Sequence, residues 1–404
     1  MLVQDDLMAP EVIRDPHTYY ARLRETDPVH WNERWKGWII TRYDDVVRLL
    51  RDHERFSSDR MASFIAELSP ADRDRYHVLI EILSSWFVFR DPPFHTRFRL
   101  LTNKAFTPMS VERLRPRVRQ IIHGLLDRVA ERGHMEFIRD YAFPLPVTVI
   151  CEYLGVPAED HERLKEWSDE TTQIFFMRIN DPNRRDRAQK GVQALTEYFY
   201  PLIHERKRHP RDDFITALVH AEERGDLLSE DEVATVCALL MLAGHETTTN
   251  ALANGLLALL RNRDQWERLR ADPSLARTAV EELLRYDGVV KAMLRWAKED
   301  VEVGGKTIKE GDRILLSLFG ANRDPAKFPE PDRLDVARHP NPHVAFGHGI
   351  HLCLGAPLAR LELHESFIAL SQRFPDMRLA VEPEELQYHP TVVSRALEAL
   401  PVEW

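Results

Sequence analysis

Three cysteines in 404 residues, Cys151, Cys237 and Cys353, are too few and too widely spaced for a disulfide framework, and no CxxC pair occurs. The odd count fits a reducing compartment. Positive charge is also short: 55 lysines and arginines stand against 65 acids, and the net charge of -10 excludes attachment to nucleic acid through overall charge. No zinc-finger or basic-zipper pattern is present. Long apolar runs are missing too; the longest, roughly Val233 to Gly244, falls far short of the ~20 residues that cross a bilayer. The first residues, MLVQDDLMAPEVIRDP, lack the basic-then-apolar pattern of a secretory leader. These absences predict a soluble, cytoplasmic protein that engages neither membrane nor nucleic acid. No repeat, low-complexity segment or Ser/Gly linker divides the chain, and its 25 prolines are scattered, so no domain boundary is visible.

What is present reads mostly as amphipathic helix. With 44% apolar and 30% charged residues the chain can bury a large core. PHTYYARLRE, YDDVVRLLRDH, VERLRPRVRQIIHGLLDRVAERG and PLARLELHESFIALSQRF carry apolar residues at three- and four-residue spacing. Strand signals are shorter: WIITRY from Trp38 to Tyr43, and DVEVGGKTIKEGDRILLSL, where Gly304-Gly305 marks a tight hairpin. The expected class is mainly α with small β-sheets.

Ser229-Glu230-Asp231-Glu232 forms a capping-box sequence, and helical character then runs without proline to about Arg261, predicting a helix of about 30 residues and about 45 Å. It is apolar nearly all round from Val233 to Ala243, which places it in the interior. At its middle, AGHETTTN (Ala243 to Asn250) combines Gly244 with a run of threonines, all poor helix formers. A buried helix that weakens its own centre needs a reason.

Cys353 lies in FGHGIHLCLGAPLAR, Phe346 to Arg360. Glycines at 347, 349 and 355 permit positive φ and let the main chain approach something flat and bulky. A loop feeding a helix supplies amide hydrogens to a thiolate. His348-x-x-His351-x-Cys353 is also compatible with a partial zinc site, and the residues alone leave an ordinary loop cysteine open.

FGHGIHLCLG resembles the haem-binding loop of the cytochrome P-450 superfamily, whose pattern is Phe-x-x-Gly-x-x-x-Cys-x-Gly. The resemblance extends, in order, to DPPFHTRFR near residue 95, AGHETT in the central helix, and EELLR with Glu282 and Arg285 in Glu-x-x-Arg spacing. PVHW...WIITRYDDV near the start and ALEALPVEW at the end are of the bacterial form, so the resemblance covers essentially the whole chain. It implies one cytochrome P-450 domain over residues 1–404: a triangular helical domain with a long central helix and a β-rich region drawn mainly from about 25–50, 285–320 and a C-terminal hairpin.

By that resemblance Cys353 is the axial thiolate of haem b (iron protoporphyrin IX), with Phe346, Gly347 and Gly355 around the sulfur and His95, Arg99, Arg295 and His351 on the haem carboxylates. The i,i+4 spacing of His95 and Arg99 sets both on one helical face. Glu246 and Thr247 would deliver protons to the oxygen being activated. Glu282, Arg285 and Arg333 would form a structural ion network. Trp86, Phe87, Val88, Leu242, Ala243, Val289, Val290, Lys291, Met293, Val392 and Val393 would line a pocket for a hydrophobic substrate. The chain departs from the family's habits at Gly288-Val289, at Lys291, which would meet a haem propionate or a carboxylate of the substrate, and at Phe94, where glutamate is common.

From His95 to Gln120 seven basic residues (Arg97, Arg99, Lys104, Arg113, Arg115, Arg117, Arg119) face one acid, Glu112. In the family this region receives acidic iron-sulfur ferredoxins. No fused reductase is expected, so ferredoxin and ferredoxin reductase, or a flavodoxin, would bring electrons to a monomer. The activity implied is insertion of one oxygen atom from dioxygen into a C–H bond or double bond; a peroxide-driven hydroxylase and a noncatalytic haem-thiolate sensor or carrier are the alternatives.

Overall fold

The computed structural model of the protein describes residues 5–175, 183–223 and 225–404. Helix α1 (Pro16–Thr26) starts with proline in its first turn and an Asp15 cap that accepts from the Thr18 N–H at 3.1 Å. Strands β1 (Val29–Asn32) and β2 (Gly37–Ile40) follow, then helix α2 (Tyr43–Arg51). The strand expected to reach Tyr43 stops at Ile40, because the Tyr43 N–H turns to Asp324 Oδ2 at 2.9 Å and Asp44 and Asp45 favour a helix start.

Helix α3 (Phe94–Ala105) carries the His95 segment. The single helix expected from Val111 onward is broken: one piece spans Pro108–Glu112 and the next Arg115–Asp127. Pro116 has no N–H to give the Glu112 carbonyl, so the helical hydrogen bond that would join the two pieces is missing. Helices α4 (His161–Phe175) and α5 (Arg184–Arg208) pack closely. At their contact a Cβ on Gly191 would lie 2.5 Å from the Trp167 carbonyl oxygen, which explains the glycine.

Helix α6 (Glu230–Arg261) has 32 residues, and Ser229 and Glu232 form the capping box, with reciprocal bonds of 2.8 and 3.2 Å. Helix α7 (Ala276–Asp287), strands β3 (Ala292–Ala297) and β4 (Arg313–Ser317) and helix α8 (Ala356–Arg373) complete the main elements. The glycine hairpin lies between Val301–Val303 and Lys306–Ile308, with Gly304 and Gly305 at φ 56° and 77°.

Two compact units emerge. One comprises Met1–Phe56, Pro116–Leu145 and Thr247–Trp404; the other comprises Ser57–Arg115 and Pro146–Glu246. The first holds the principal sheet, in which β1 is antiparallel to β2, β2 parallel to β4, and β4 antiparallel to β3. Alternate residues of β4 enter separate cores. Ile314 and Leu316 join Ile40, Val46 and Leu49, whereas Leu315 joins Tyr20, Leu23 and Phe319. Burial on both faces is why RILLS reads as an unbroken apolar run. The second unit is helical apart from short strands, and its core includes the contacting rings of Phe106, Tyr153 and Phe214.

Two glycines give a test. Gly191→Ala should cost on the order of 1–3 kcal/mol through forced overpacking, while Gly124→Ala, in a helix with nothing within 4 Å of the new Cβ, should gain about 0.5–1 kcal/mol. Thermal unfolding followed by circular dichroism reads both signs.

Candidate active site

The loop before α8 is shaped by two close approaches. A Cβ on Gly347 (φ 74°) would sit 2.8 Å from Met293 Cε, and one on Gly349 (φ 72°) would sit 2.6 Å from the Leu50 carbonyl oxygen. Gly349 is therefore required twice over, for space against backbone and for conformation, while at Gly347, beside the flexible end of Met293, the positive φ is the constraint. The Cys353 N–H donates to the Phe346 carbonyl at 3.0 Å and the Gly347 N–H to Val344 at 2.8 Å, folding the segment back on itself. Gly355 then precedes the first turn of α8. His348 is engaged by Arg51, whose Nη2 lies 2.7 Å from its Nε2. Burial first and the Arg51 charge second lower its pKa.

Only Cys353 among the three cysteines is exposed. Burial pushes the Cys151 thiol up to about 12 and raises that of Cys237 as well, so neither can serve as a thiolate. Leu352, next to Cys353, is one of four exposed large hydrophobic residues among those described. In the same unit Arg295 is buried on β3, opposite Ile314, and His351 is half-buried at the end of the Gly349–His351 turn.

The segment from Val289 to Met293 meets the stretch from Thr391 to Arg395. The Lys291 N–H donates to Val393 at 2.9 Å, the Arg395 N–H to Val289 at 2.8 Å, and Val290 bridges Ser394. Val289, Val290, Met293, Val392 and Val393 are thereby gathered on two adjoining strands of chain. Lys291 is buried and its ammonium donates to the Thr391 carbonyl. Burial lowers its pKa to about 7, with the Arg395 charge adding to the effect. Gly288 is explained by packing, since a Cβ there would lie 2.6 Å from the Leu284 carbonyl oxygen.

In the other unit, His95 is buried and Arg99 half-buried on α3. The Phe87 ring lies 6.1 Å from that of His95; Trp86 and Phe87 are buried and Val88 half-buried. On α6, residues 233–242 and 248–259 are all buried, whereas Ala243, Gly244, Glu246 and Thr247 are half-buried. Leu242 belongs to the buried part, and the helix continues unbroken through its centre. A Cβ on Gly244 would come within 2.9 Å of Ile150, so close packing requires that glycine.

Glu282 and Arg285 have no exposed side-chain surface and form a two-pronged pair at 2.7 and 2.9 Å. The third member is Arg338, whose Nε donates to the same carboxylate at 3.1 Å. The expected Arg333 is corrected: its side chain is 64% exposed and pairs with Glu330, and only its carbonyl accepts from Arg285 and Arg338. Asn341 and the Asp335 N–H complete the shell around Glu282. The neighbouring Glu281 escaped sequence reasoning, as did His343 and Arg360, which bind it at 3.0 Å and at 2.7 and 2.8 Å. The doubled glutamate in EELLR was the available signal.

The basic run is largely neutralised within the chain. Arg97 pairs with Asp226 and Glu232, Lys104 with Glu223, Arg115 with Glu112 and Arg119 with Glu365.

A mainly helical fold presents one exposed cysteine on a glycine-shaped loop at the head of a helix, an arrangement compatible with a thiolate ligand. The family model described as Cytochrome P450 matches residues 33–394, and the chain belongs to that family. It is 41% identical to cytochrome P450 CYP107DY1 of Priestia megaterium over 98% of either chain. It is 40% identical to the polyketide biosynthesis cytochrome P450 PksS of Bacillus subtilis, over 97% of this chain and 96% of the other. Among solved structures, P450BioI in complex with hexadec-9Z-enoic acid ligated acyl carrier protein superposes with a TM-score of 0.90 at 38% identity, covering 98% of this chain and 99% of that one. The protein is a haem-thiolate monooxygenase, and Cys353 is the cysteine whose exposure and loop suit an axial thiolate. The residues fit the cofactor: an exposed sulfur beside an exposed leucine suits an apolar ring, and the buried Arg295 suits a propionate.

Glu282→Ala should leave the buried Arg285 charge without its partner and cost about 3–5 kcal/mol, with loss of bound haem, whereas Arg338→Ala, which leaves Glu282 its Arg285 fork, should cost less. Arg333→Ala should stay within about 0.5 kcal/mol of the parent. Urea unfolding together with the haem-to-protein absorbance ratio separates these outcomes.

Proposed function

We propose that the enzyme hydroxylates or epoxidises a hydrophobic small molecule in the cytoplasm, acting as a monomer supplied with electrons by a separate ferredoxin and its reductase or by a flavodoxin. The observation that carries this reading is the acid-alcohol pair Glu246-Thr247, half-buried between the buried stretches 233–242 and 248–259 of one helix. Haem supplies the iron at which dioxygen is activated. The Thr247 hydroxyl holds and donates a proton there, and the Glu246 carboxyl replenishes it. Ala243, Val289, Val290, Met293, Val392 and Val393 exclude water and orient the substrate's carbon skeleton. His95, Arg99, Arg295 and His351 hold the propionates. The Lys291 ammonium donates to the Thr391 carbonyl and has further N–H donors for a haem propionate or a carboxylate of the substrate.

Among described residues no helix is long and apolar enough to cross a membrane. Arg113 and Arg117 are both exposed and would add steering charge for an acidic donor. The relatives' names, with their polyketide and fatty-acyl chemistry, extend the substrate candidates to acyl chains and polyketides.

Thr247→Ala should retain haem and substrate binding while reductant oxidation yields hydrogen peroxide in place of product. Peroxide assayed against reductant consumed reads the diversion, and full coupling in the variant would remove Thr247 from the mechanism. Sustained reductant oxidation that rises when substrate is added, with a surrogate ferredoxin and reductase, separates this reading from a peroxide-driven enzyme.

A further inference from the structure

Glu281 and Glu282 are consecutive on α7, so their side chains leave the helix about 100° apart and enter different networks. Glu282 enters the buried arginine cluster. Glu281 is gripped by Arg360, with Nε on Oε1 at 2.7 Å and Nη2 on Oε2 at 2.8 Å. His343 Nε2 meets the same carboxylate at 3.0 Å, while its Nδ1 accepts from the Ala345 N–H at 3.1 Å, which leaves Nε2 as the donor. The Arg360 guanidinium lies 4.5 Å from the centre of the Phe346 ring. Phe346 is the residue whose carbonyl accepts the Cys353 N–H at 3.0 Å. The charge pair therefore touches the cysteine loop from both sides in sequence, through residues 343–346 before it and Arg360 after it.

Burial alone would raise the Glu281 carboxyl, but the hydrogen bonds from His343 and Arg360 outweigh it and hold the group at about 2. It is a full anion at any working pH. Both partners are only about a third exposed, at 36% for Arg360 and 28% for Glu281, so solvent screens their field incompletely.

We propose that Arg360, oriented by Glu281 and His343, is a positioning residue that sets the reduction potential of the haem-thiolate centre. The proposal rests on the haem-thiolate reading of Cys353. One-electron reduction by an external donor adds a negative charge at the iron and makes or breaks no bond in the protein. A guanidinium stacked on the ring that borders the cysteine turn favours the reduced state, and the Glu281 carboxylate offsets part of that effect. The arrangement fixes the field by geometry, since the fork on Glu281 prevents the arginine from swinging into solvent.

Spectroelectrochemical titration of the substrate-free holoenzyme tests this. Arg360→Gln should lower the midpoint potential, Glu281→Gln should raise it, and the double variant should fall between them. Arg360→Lys, which keeps the charge, should stay closer to the parent than Arg360→Gln. A merely structural role would let water in and move both single variants the same way; that result, or no movement in either, overturns the proposal. If Arg360→Gln comes out without haem, the sign in Glu281→Gln decides: a rise sustains the proposal, and a fall or no change overturns it. The reduced carbon monoxide adduct of the parent is read in parallel. Absence of the red-shifted band of thiolate-bound haem there would defeat the reading of Cys353 itself, a failure distinct from unmoved potentials.

Discussion

A carboxylate with no exposed surface can persist only if every lone pair is met, and Glu282 meets that condition with two arginines, an asparagine and a backbone N–H. Three of these four partners lie between Asp335 and Asn341, in the irregular stretch that leads into the cysteine loop. Arg285 extends the hold to the carbonyls of Asn322 and Pro331. A segment without regular secondary structure thus acquires a fixed course from one helix-borne charge. The placement of Cys353 follows from it, because the loop's glycines work only if the chain arrives at a set height and angle.

Much of this was legible in the sequence. The Glu-x-x-Arg spacing, the Ser229 capping box and the apolar belt of α6 state local rules that tertiary contacts did not overturn. Arg333 was expected from the resemblance, which calls for an arginine from the loop that follows, and two arginines five residues apart in that irregular loop satisfy it equally. Only the path of that loop decides which side chain turns inward and which lends its carbonyl. The break near Leu114 was readable from Pro116, but apolar periodicity on both sides outweighed it. Glu281, His343 and Arg360 stayed hidden because their association joins a helix, a loop and a second helix far apart in sequence, and the doubled glutamate of EELLR names none of its partners.

The centre of α6 shows the converse. Gly244 and the threonines read as defects in helix propensity, yet the helix does not break. Gly244 answers to Ile150, a packing demand, while Glu246 and Thr247 occupy the half-buried stretch where polar chemistry is affordable. One short sequence therefore serves two masters, and propensity alone could not have divided them.

The Gly349 contact carries a lesson for protein engineering. Because its missing Cβ leaves room for the Leu50 carbonyl, at the end of a helix near the other terminus of the chain, the ten residues FGHGIHLCLG are not a portable cassette. Grafted onto another helical scaffold, they would bring the ligand and lose the wall against which the loop is moulded. The smallest transplantable unit includes α2, and any attempt to build a thiolate centre into a new protein must import that distant backbone with the motif.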